Sequence, residues 1–202
     1  MPFSFDPTTG RYRDAAGRFV PDQSIRRALD VVLDAQAQTM RLLSQQLMDG
    51  TIMLADWQLA MMQATKAVHL VGTAVAHGGW SQLDQSDFGW AGQRIRTQYS
   101  YLNRFAADIA SGRQNLDGTL LARSELYAQA GRATHRAAER RLATKRGLAE
   151  EKNLLGAADH CAGCLAETAR GWVKIGTLVP CGSRDCLVRC HCSLTYRTVQ
   201  AA

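Results

Sequence analysis

Six cysteines are the residues of this sequence with the clearest capacity for chemistry. All six lie between Cys161 and Cys192, and the preceding 160 residues contain none. Such clustering predicts either a bound metal ion or a set of disulfide bonds, and the redox compartment decides between them. His160 and His191 lie beside these cysteines, so the segment offers eight possible metal ligands.

Cys161 and Cys164 have the Cys-x-x-Cys spacing of a zinc knuckle. This turn places two thiolates one tetrahedral edge apart, which is the separation that a zinc ion requires. The other ligands must come from the remaining four cysteines, one of which is Cys181, and spacing alone does not choose among them. We predict the metal ligands to be among Cys161, Cys164, Cys186, Cys190 and Cys192.

Eight possible ligands allow one or two zinc ions, and the crowding of Cys190 and Cys192 favours one. A module of about 45 residues has too little apolar core to fold by itself, so metal would supply much of its folding energy. We expect a structural rather than a catalytic ion. Asp159, Glu167 and Asp185 are present nearby, but no spacing marks any of them as a catalytic base.

The N-terminal residues favour metal over disulfides. Residues 1–6 have neither the charged nor the apolar region of a secretory signal. No apolar run approaches eighteen residues, so we expect no contact with a membrane. A chain without an export signal is expected in a reducing compartment, where thiols remain available to bind metal.

The sequence lacks the common enzyme motifs. It has no phosphate-binding G-x-x-x-x-G-K-[ST], no G-x-G-x-x-G, no H-E-x-x-H and no G-x-S-x-G. A thioredoxin-like role for Cys161 and Cys164 would need a surrounding βαβ pattern, which is absent. We therefore expect a protein that is not an enzyme.

Apolar residues upstream of the cysteines recur at helical spacing. The series that begins with Ile25, Leu29 and Leu33 predicts a first helix, and a second contains Trp57 and Met61. A third helix is expected from about Ile95, after a turn over residues 83–92. A fourth is expected from Thr119 to about Ala149, with an apolar face of Leu120, Ala122, Leu126, Ala130, Ala133 and Ala137.

These patterns predict a mainly α fold: an antiparallel helical bundle with a small C-terminal Cys-rich β/loop zinc module. We divide the chain into an extended N-terminal arm (residues 1–23), a helical domain (24–152) and a Cys-rich metal-binding module (153–202). The last module includes an alternating stretch from Ser193 to Val199 that favours a β-strand.

Positive charge is concentrated in the fourth predicted helix and just beyond it. Residues 121–152 hold eight lysines or arginines against four glutamates. The simpler interpretation is a solvated helix face. The alternative is a nucleic-acid-binding surface that uses the basic helix from Arg132 to Arg146, centred on Arg132, Arg136 and Arg140.

The Cys-rich ending resembles the C-terminal part of phage minor head proteins of the Mu F-like, head morphogenesis type. The matching residues are Cys161-Ala162-Gly163-Cys164, Pro180-Cys181-Gly182-Ser183 and Cys190-His191-Cys192. The upstream stretches Trp57-Gln58, His77-Gly78-Gly79-Trp80 and Gln98-Tyr99-Ser100-Tyr101-Leu102 are similar to phage structural proteins with the same ending. The family often has a histidine three residues before its final Cys-x-Cys. Here that position is Leu187, with Cys186 as a substitute ligand.

This resemblance implies a non-enzymatic virion structural protein, either a minor head protein near the portal or a head–tail connector component. Its partners would be portal, capsid or connector proteins, and it would be present in multiple copies. The resemblance also implies assembly in the host cytoplasm and a final place in the head or neck of the virion. In such a particle the basic helix is a candidate for contact with packaged DNA, with solvent as the alternative.

Overall fold

The computed structural model describes residues 1–198 and is mainly helical. Four long helices form a bundle: α1 (Asp22–Met48), α2 (Leu54–His77), α3 (Gln85–Ala110) and α4 (Gly118–Lys145). A short 3-10 turn over Trp80–Gln82 lies between α2 and α3. The prediction of a mainly α fold with a small Cys-rich β region is confirmed. Within the described residues, no helix is both long and apolar enough to cross a bilayer.

The apolar faces predicted for α1 and α2 are buried. Ile25, Leu29 and Leu33 of α1 lie in the core because their spacing keeps them on one side of the helix. Trp57 of α2 is fully buried, donates a hydrogen bond from Nε1 to Ser44 Oγ at 3.0 Å, and packs edge-on against Phe105. A buried indole needs such a partner for its N–H group.

α3 begins earlier than predicted, because residues 83–92 are not a turn. Asp84 Oδ1 accepts the backbone N–H of Asp87 at 3.0 Å, and Asp87 Oδ2 accepts the backbone N–H of Asp84 at 3.2 Å. This capping box satisfies N–H groups at the start of the helix. Gly89 and Gly92 then lie at exposed helical positions, where glycine lowers helix stability without ending the helix.

α4 is the central helix of the molecule, packed on α1 and α2 along one side. The apolar face predicted for it is partly wrong: Ala122 and Leu126 are exposed. The buried face contains small and polar residues instead, which let neighbouring helices approach closely. The buried residues of α4 are Leu120, Leu121, Ser124, Tyr127, Ala128, Ala130, Gly131, Thr134, His135, Ala138 and Ala143.

Two facing glycines set the distance between α2 and α4. A Cβ atom on Gly72 would lie 2.7 Å from the carbonyl oxygen of Gly131. A Cβ atom on Gly131 would lie 2.7 Å from Val68 Cγ1 and would also meet Leu33. The two backbones therefore approach more closely than any side chain would allow.

The segment predicted as an extended arm (residues 1–23) instead forms a small antiparallel sheet over residues 3–20 and the first residues of α1. Strands β1 (Phe3–Asp6), β2 (Arg11–Asp14) and β3 (Phe19–Val20) pair in the order β1-β2-β3, and α1 follows directly. The sheet lies on the bundle of the same molecule. The Tyr12 hydroxyl donates to the Ala76 carbonyl at 2.7 Å.

The C-terminal module consists of strands β4 (Glu150–Leu154), β5 (Val173–Lys174) and β6 (Ser193–Arg197) with one short helix, α5 (Ala162–Ala169). The sheet is antiparallel with the order β5-β4-β6. The boundary drawn at residue 152 falls inside β4. The final predicted strand ends at Arg197, and Val199 lies outside the described residues.

Candidate metal centre

All six cysteines are gathered in the core of the C-terminal module. None of them forms a disulfide bond. The buried core of this module consists of Cys164, Cys181, Cys190, Cys192, Leu178 and Leu194, so only two of its six buried residues are ordinary hydrophobic side chains. The thiols themselves therefore occupy the place that a small domain normally fills with aliphatic groups.

Cys164 lies at the centre of the cluster. Its Sγ is 3.6 Å from Cys186 Sγ and 3.9 Å from Cys190 Sγ. The ligand atoms of Cys161, Cys164 and Cys186 all lie within 4.8 Å of one another. Zinc–sulfur bonds of about 2.3 Å give a tetrahedron with sulfur–sulfur edges of about 3.8 Å, so these distances fit a common metal ion.

Helix α5 positions the Cys-x-x-Cys pair. Cys161 is the N-cap residue, and Cys164 lies one turn into the helix. The backbone N–H of Cys164, and to a smaller extent that of Cys186, bonds to the Cys161 thiol and lowers its pKa. Such bonds stabilise the thiolate, which is the form that binds metal.

His160 and Cys192 form a second part of the cluster, again together with Cys164. His160 Nδ1 lies 3.8 Å from Cys192 Sγ, and the ligand atoms of the three residues lie within 4.8 Å of one another. His160 Nε2 lies 2.9 Å from the Gly156 carbonyl oxygen. Because a carbonyl oxygen only accepts, Nε2 carries the proton, and the lone pair of Nδ1 faces the thiols as a metal ligand requires.

The interaction between Cys181 and Cys190 shifts the pKa values of the two thiols in opposite directions. The hydrogen bond from Cys181 lowers the pKa of the Cys190 thiol to about 3, while the same bond and burial raise that of Cys181. Burial also raises the pKa of Cys164 and raises that of Cys186 to about 11. Because thiolates are the metal-binding form, a metal ion entering this cluster must displace protons.

Arg184 places a positive charge against the thiols. Its side chain is buried, and Nη1 lies 3.7 Å from Cys164 Sγ and 2.9 Å from Asn153 Oδ1. Its Nε and Nη2 atoms donate to the Val179 carbonyl. Within residues 1–198 it forms no ion pair with a carboxylate. A buried guanidinium group needs a nearby negative charge, and the thiolates of a metal-loaded cluster would supply it.

The surrounding loops are fixed by three buried polar side chains. Glu151 Oε1 accepts the backbone N–H groups of Gly176 and Leu178, each at 3.0 Å. Asn153 Nδ2 donates to Thr168 Oγ1 at 2.6 Å, which ties β4 to α5. Glu167 Oε2 accepts the N–H of Val179 at 3.0 Å. These bonds hold the segment that leads into Cys181 in position.

The arginines of α4 attach the module to the bundle. Arg136 Nη1 donates to the Cys190 carbonyl at 2.9 Å, and Arg140 Nη2 donates to the Leu178 carbonyl at 3.1 Å. Gly182, with a φ of +90°, packs so closely on α4 that a Cβ there would lie 2.7 Å from Ala133 Cβ. The middle of the basic segment therefore faces the Cys-rich module.

Other cations between Arg132 and Arg146 also contact groups within the chain. Arg132 Nε pairs with Asp30 Oδ1 at 2.7 Å, Lys145 Nζ pairs with buried Asp87 at 2.8 Å, and Arg146 lies over the Phe5 ring. Charges held in this way offer few free groups to phosphates. These cations therefore contact groups of the same chain.

The structure brings together all five thiols that the sequence analysis chose: Cys161, Cys164, Cys186, Cys190 and Cys192. It adds Cys181 and His160. The Pro180-Cys181-Gly182 turn and the position of His160 next to Cys161 were the available sequence signals for these two. His191 is exposed and lies elsewhere, beside a cavity of about 80 Å³ between α1 and α4.

No family model, curated protein or solved structure matches the chain. The similarity to phage minor head proteins therefore depends on the sequence motifs alone.

Proposed function

We propose that this chain is a non-enzymatic structural protein whose C-terminal module is held together by zinc. The observation that carries the proposal is the arrangement of buried thiols around Cys164, with sulfur–sulfur separations of 3.6 and 3.9 Å. A set of thiolates and one imidazole favours zinc or an iron–sulfur cluster over the hard cations magnesium and calcium. Zinc fits a site of this size whose ligands converge from three separate loops.

Metal content tests the zinc proposal directly. Protein purified without chelators should contain zinc, and Cys161→Ser should lower the zinc content and expose the module to protease while the four bundle helices remain folded. His191→Ala is the matched control because His191 is exposed and lies outside the cluster. A metal-free wild-type protein, or a Cys161→Ser variant with full zinc content and an unchanged digestion pattern, would contradict the proposal.

Within this class, we propose a virion structural protein, either a minor head protein near the portal or a connector component. The resemblance of the Cys-rich ending supports this more specific role. The helical bundle would contact portal, capsid or connector proteins, and the metal-bound module would keep the end of the chain compact.

The virion proposal can be tested on particles. Particles from a culture that produces this chain would be purified on a density gradient, and their proteins identified by mass spectrometry. We expect peptides of this chain to sediment with the particles and to remain after treatment with nuclease and high salt. Peptides found only in the soluble fraction would argue against a virion component.

The alternative, a zinc-stabilised nucleic-acid-binding protein, has less support because the cations from Arg132 to Arg146 are engaged within the chain. Titration with duplex DNA at low and raised salt separates the two proposals. Phosphate contacts release counterions, so a DNA-binding face would give an affinity that falls steeply as salt rises. We expect only weak binding, unchanged by Arg132→Ala.

A further inference from the structure

We propose that the Cys-rich cluster holds two metal ions that share the thiolate of Cys164. The inference rests on the proposed zinc module and concerns the number of ions and the role of each ligand. Sequence spacing favoured one ion. The geometry points to two, because the cluster divides into two groups of ligands that have one residue in common.

The first group consists of Cys161, Cys164 and Cys186, and the second of His160, Cys164 and Cys192. Within each group, all ligand atoms lie within 4.8 Å of one another. Cys164 is therefore within ligand distance of both sets. A thiolate has enough lone pairs to bind two cations, whereas an imidazole nitrogen has only one, so the shared position suits a cysteine.

Two thiols, those of Cys190 and Cys181, remain for the fourth position of each ion. Cys190 Sγ lies 3.9 Å from Cys164 Sγ, whose other close neighbour is Cys186 Sγ at 3.6 Å, and we assign Cys190 to the first ion. Cys181 is the remaining thiol. It is buried and lies against Cys190, outside both groups, and we assign it to the second ion as the one thiol left for that ion's fourth position.

The number of ligands supports this arrangement. Two tetrahedral ions need eight coordination positions. Six cysteines and His160 supply seven ligand atoms, and one bridging thiolate supplies the eighth position. A single ion bound by Cys161, Cys164, Cys186 and Cys190 would leave Cys181, Cys192 and the oriented Nδ1 of His160 in the core with no ligand role.

The charge balance is also consistent with two ions. Six thiolates and two divalent ions carry a net charge of about −2, a charge that needs compensation in a buried site. Arg184 lies beside the proposed bridge, with Nη1 3.7 Å from Cys164 Sγ. Arg136 approaches from α4 and donates to the Cys190 carbonyl at 2.9 Å. The two arginines thus supply positive charge on two sides of the cluster.

Zinc stoichiometry on the full chain distinguishes the possibilities. Native mass spectrometry, together with elemental analysis, should give two zinc ions per chain for the wild type and for His191→Ala. His160→Ala removes a ligand of the second ion only, and we expect it to retain one ion with its helical content unchanged. No zinc in the wild type would refute the zinc module itself. One ion in the wild type would overturn the two-ion site and leave the zinc module standing.

The shared thiolate needs its own measurement. The wild-type protein would be reconstituted with the magnetically active cadmium isotope and examined by cadmium NMR. We expect two resonances that are coupled to each other through the Cys164 sulfur. Two uncoupled resonances would refute the bridge, and a single resonance would refute the second ion. This measurement needs no substitution, so it does not depend on whether a variant folds.

Discussion

Arg140 Nε lies 2.8 Å from Glu151 Oε2, and this pair joins α4 to the first strand of the Cys-rich module. Glu151 is fully buried, and Arg140 is 17% exposed. The other carboxylate oxygen of Glu151 accepts two backbone N–H groups of the loop that follows β5. One buried carboxylate therefore fixes both a loop of the module and the contact between the module and the bundle.

Replacing Arg140 should destabilise the protein strongly. Arg140→Met keeps the length of the side chain but leaves the Glu151 carboxylate buried without its cation, a change that costs about 3–5 kcal/mol. Urea unfolding at pH 7.5 measures the effect. The control is Arg41→Met, which removes an exposed pair with Glu125 and should cost less than about 1 kcal/mol. Equal losses in the two variants would show that the Arg140–Glu151 pair has no special role.

Removing the metal should unfold the module and leave the bundle folded. The module core has only Leu178 and Leu194 besides its cysteines, so little apolar burial remains to hold it. After treatment with a strong chelator, limited proteolysis should cleave beyond residue 150, while far-ultraviolet circular dichroism should retain most of the helical signal of α1–α4. A complete loss of that signal would mean that the bundle depends on the metal as well.

Enlarging Gly131 should push α4 away from α1 and α2. Gly131→Ala places a methyl group against Val68 and Leu33, and overpacking of this kind costs about 1–3 kcal/mol. The control is Gly89→Ala on the exposed side of α3, where a Cβ would meet nothing within 4 Å. Since alanine favours helix over glycine, the control should gain about 0.5–1 kcal/mol. Thermal melting compares them, and a stabilised Gly131→Ala would contradict the close approach.

Acid should destabilise the bundle through His69. Burial, with a smaller effect from Arg94, lowers the pKa of His69 from 6.5 to about 4. The unfolded chain therefore binds a proton more readily, so the stability that His69 contributes is complete above about pH 6.5 and is lost as pH falls towards 4. By pH 5 the loss should be on the order of 2 kcal/mol.

The variant His69→Gln separates the effect of His69 protonation from any release of metal in acid, because that release would be the same in the wild type and in the variant. Urea unfolding at pH 7.5, 6 and 5 should show the wild type losing stability faster than His69→Gln as pH falls. The exposed His191→Gln should follow the wild type. Parallel curves for wild type and His69→Gln would show that His69 titrates as it does in the unfolded chain.

The sequence best predicted the helices whose buried faces consist of large apolar side chains. Ile25, Leu29 and Leu33 revealed the buried face of α1. Large apolar side chains spaced three and four residues apart lie on one side of a helix, and that side must pack against the core. The face of α4 could be found only in part in this way, because Gly131 is buried to allow close approach and Thr134 to form a hydrogen bond with His69. Leu126 was misleading, since a single exposed leucine is common on a protein surface.

The candidate site shows a similar division. The spacing of Cys161 and Cys164 predicted a candidate metal-binding pair because a local turn sets their geometry. The role of His160 depends on a loop that brings the Gly156 carbonyl to Nε2, and that of Arg184 depends on a long-range fold that buries its charge. Neither contact has a local pattern, so both required the structure.

The position of the ligands late in the chain sets an order of events during synthesis. The residues of all four bundle helices leave the ribosome before His160, and the 32 residues from Cys161 to Cys192 then take about 2–6 s at 5–20 residues per second. During that interval α4 holds Arg136 and Arg140 without the Cys190 and Leu178 carbonyl groups that they contact in the folded chain. In a zinc-starved cell the module would not fold, and the protein would remain a helical bundle whose basic side is exposed. The supply of metal would then determine how long each new copy stays exposed to chaperones and proteases.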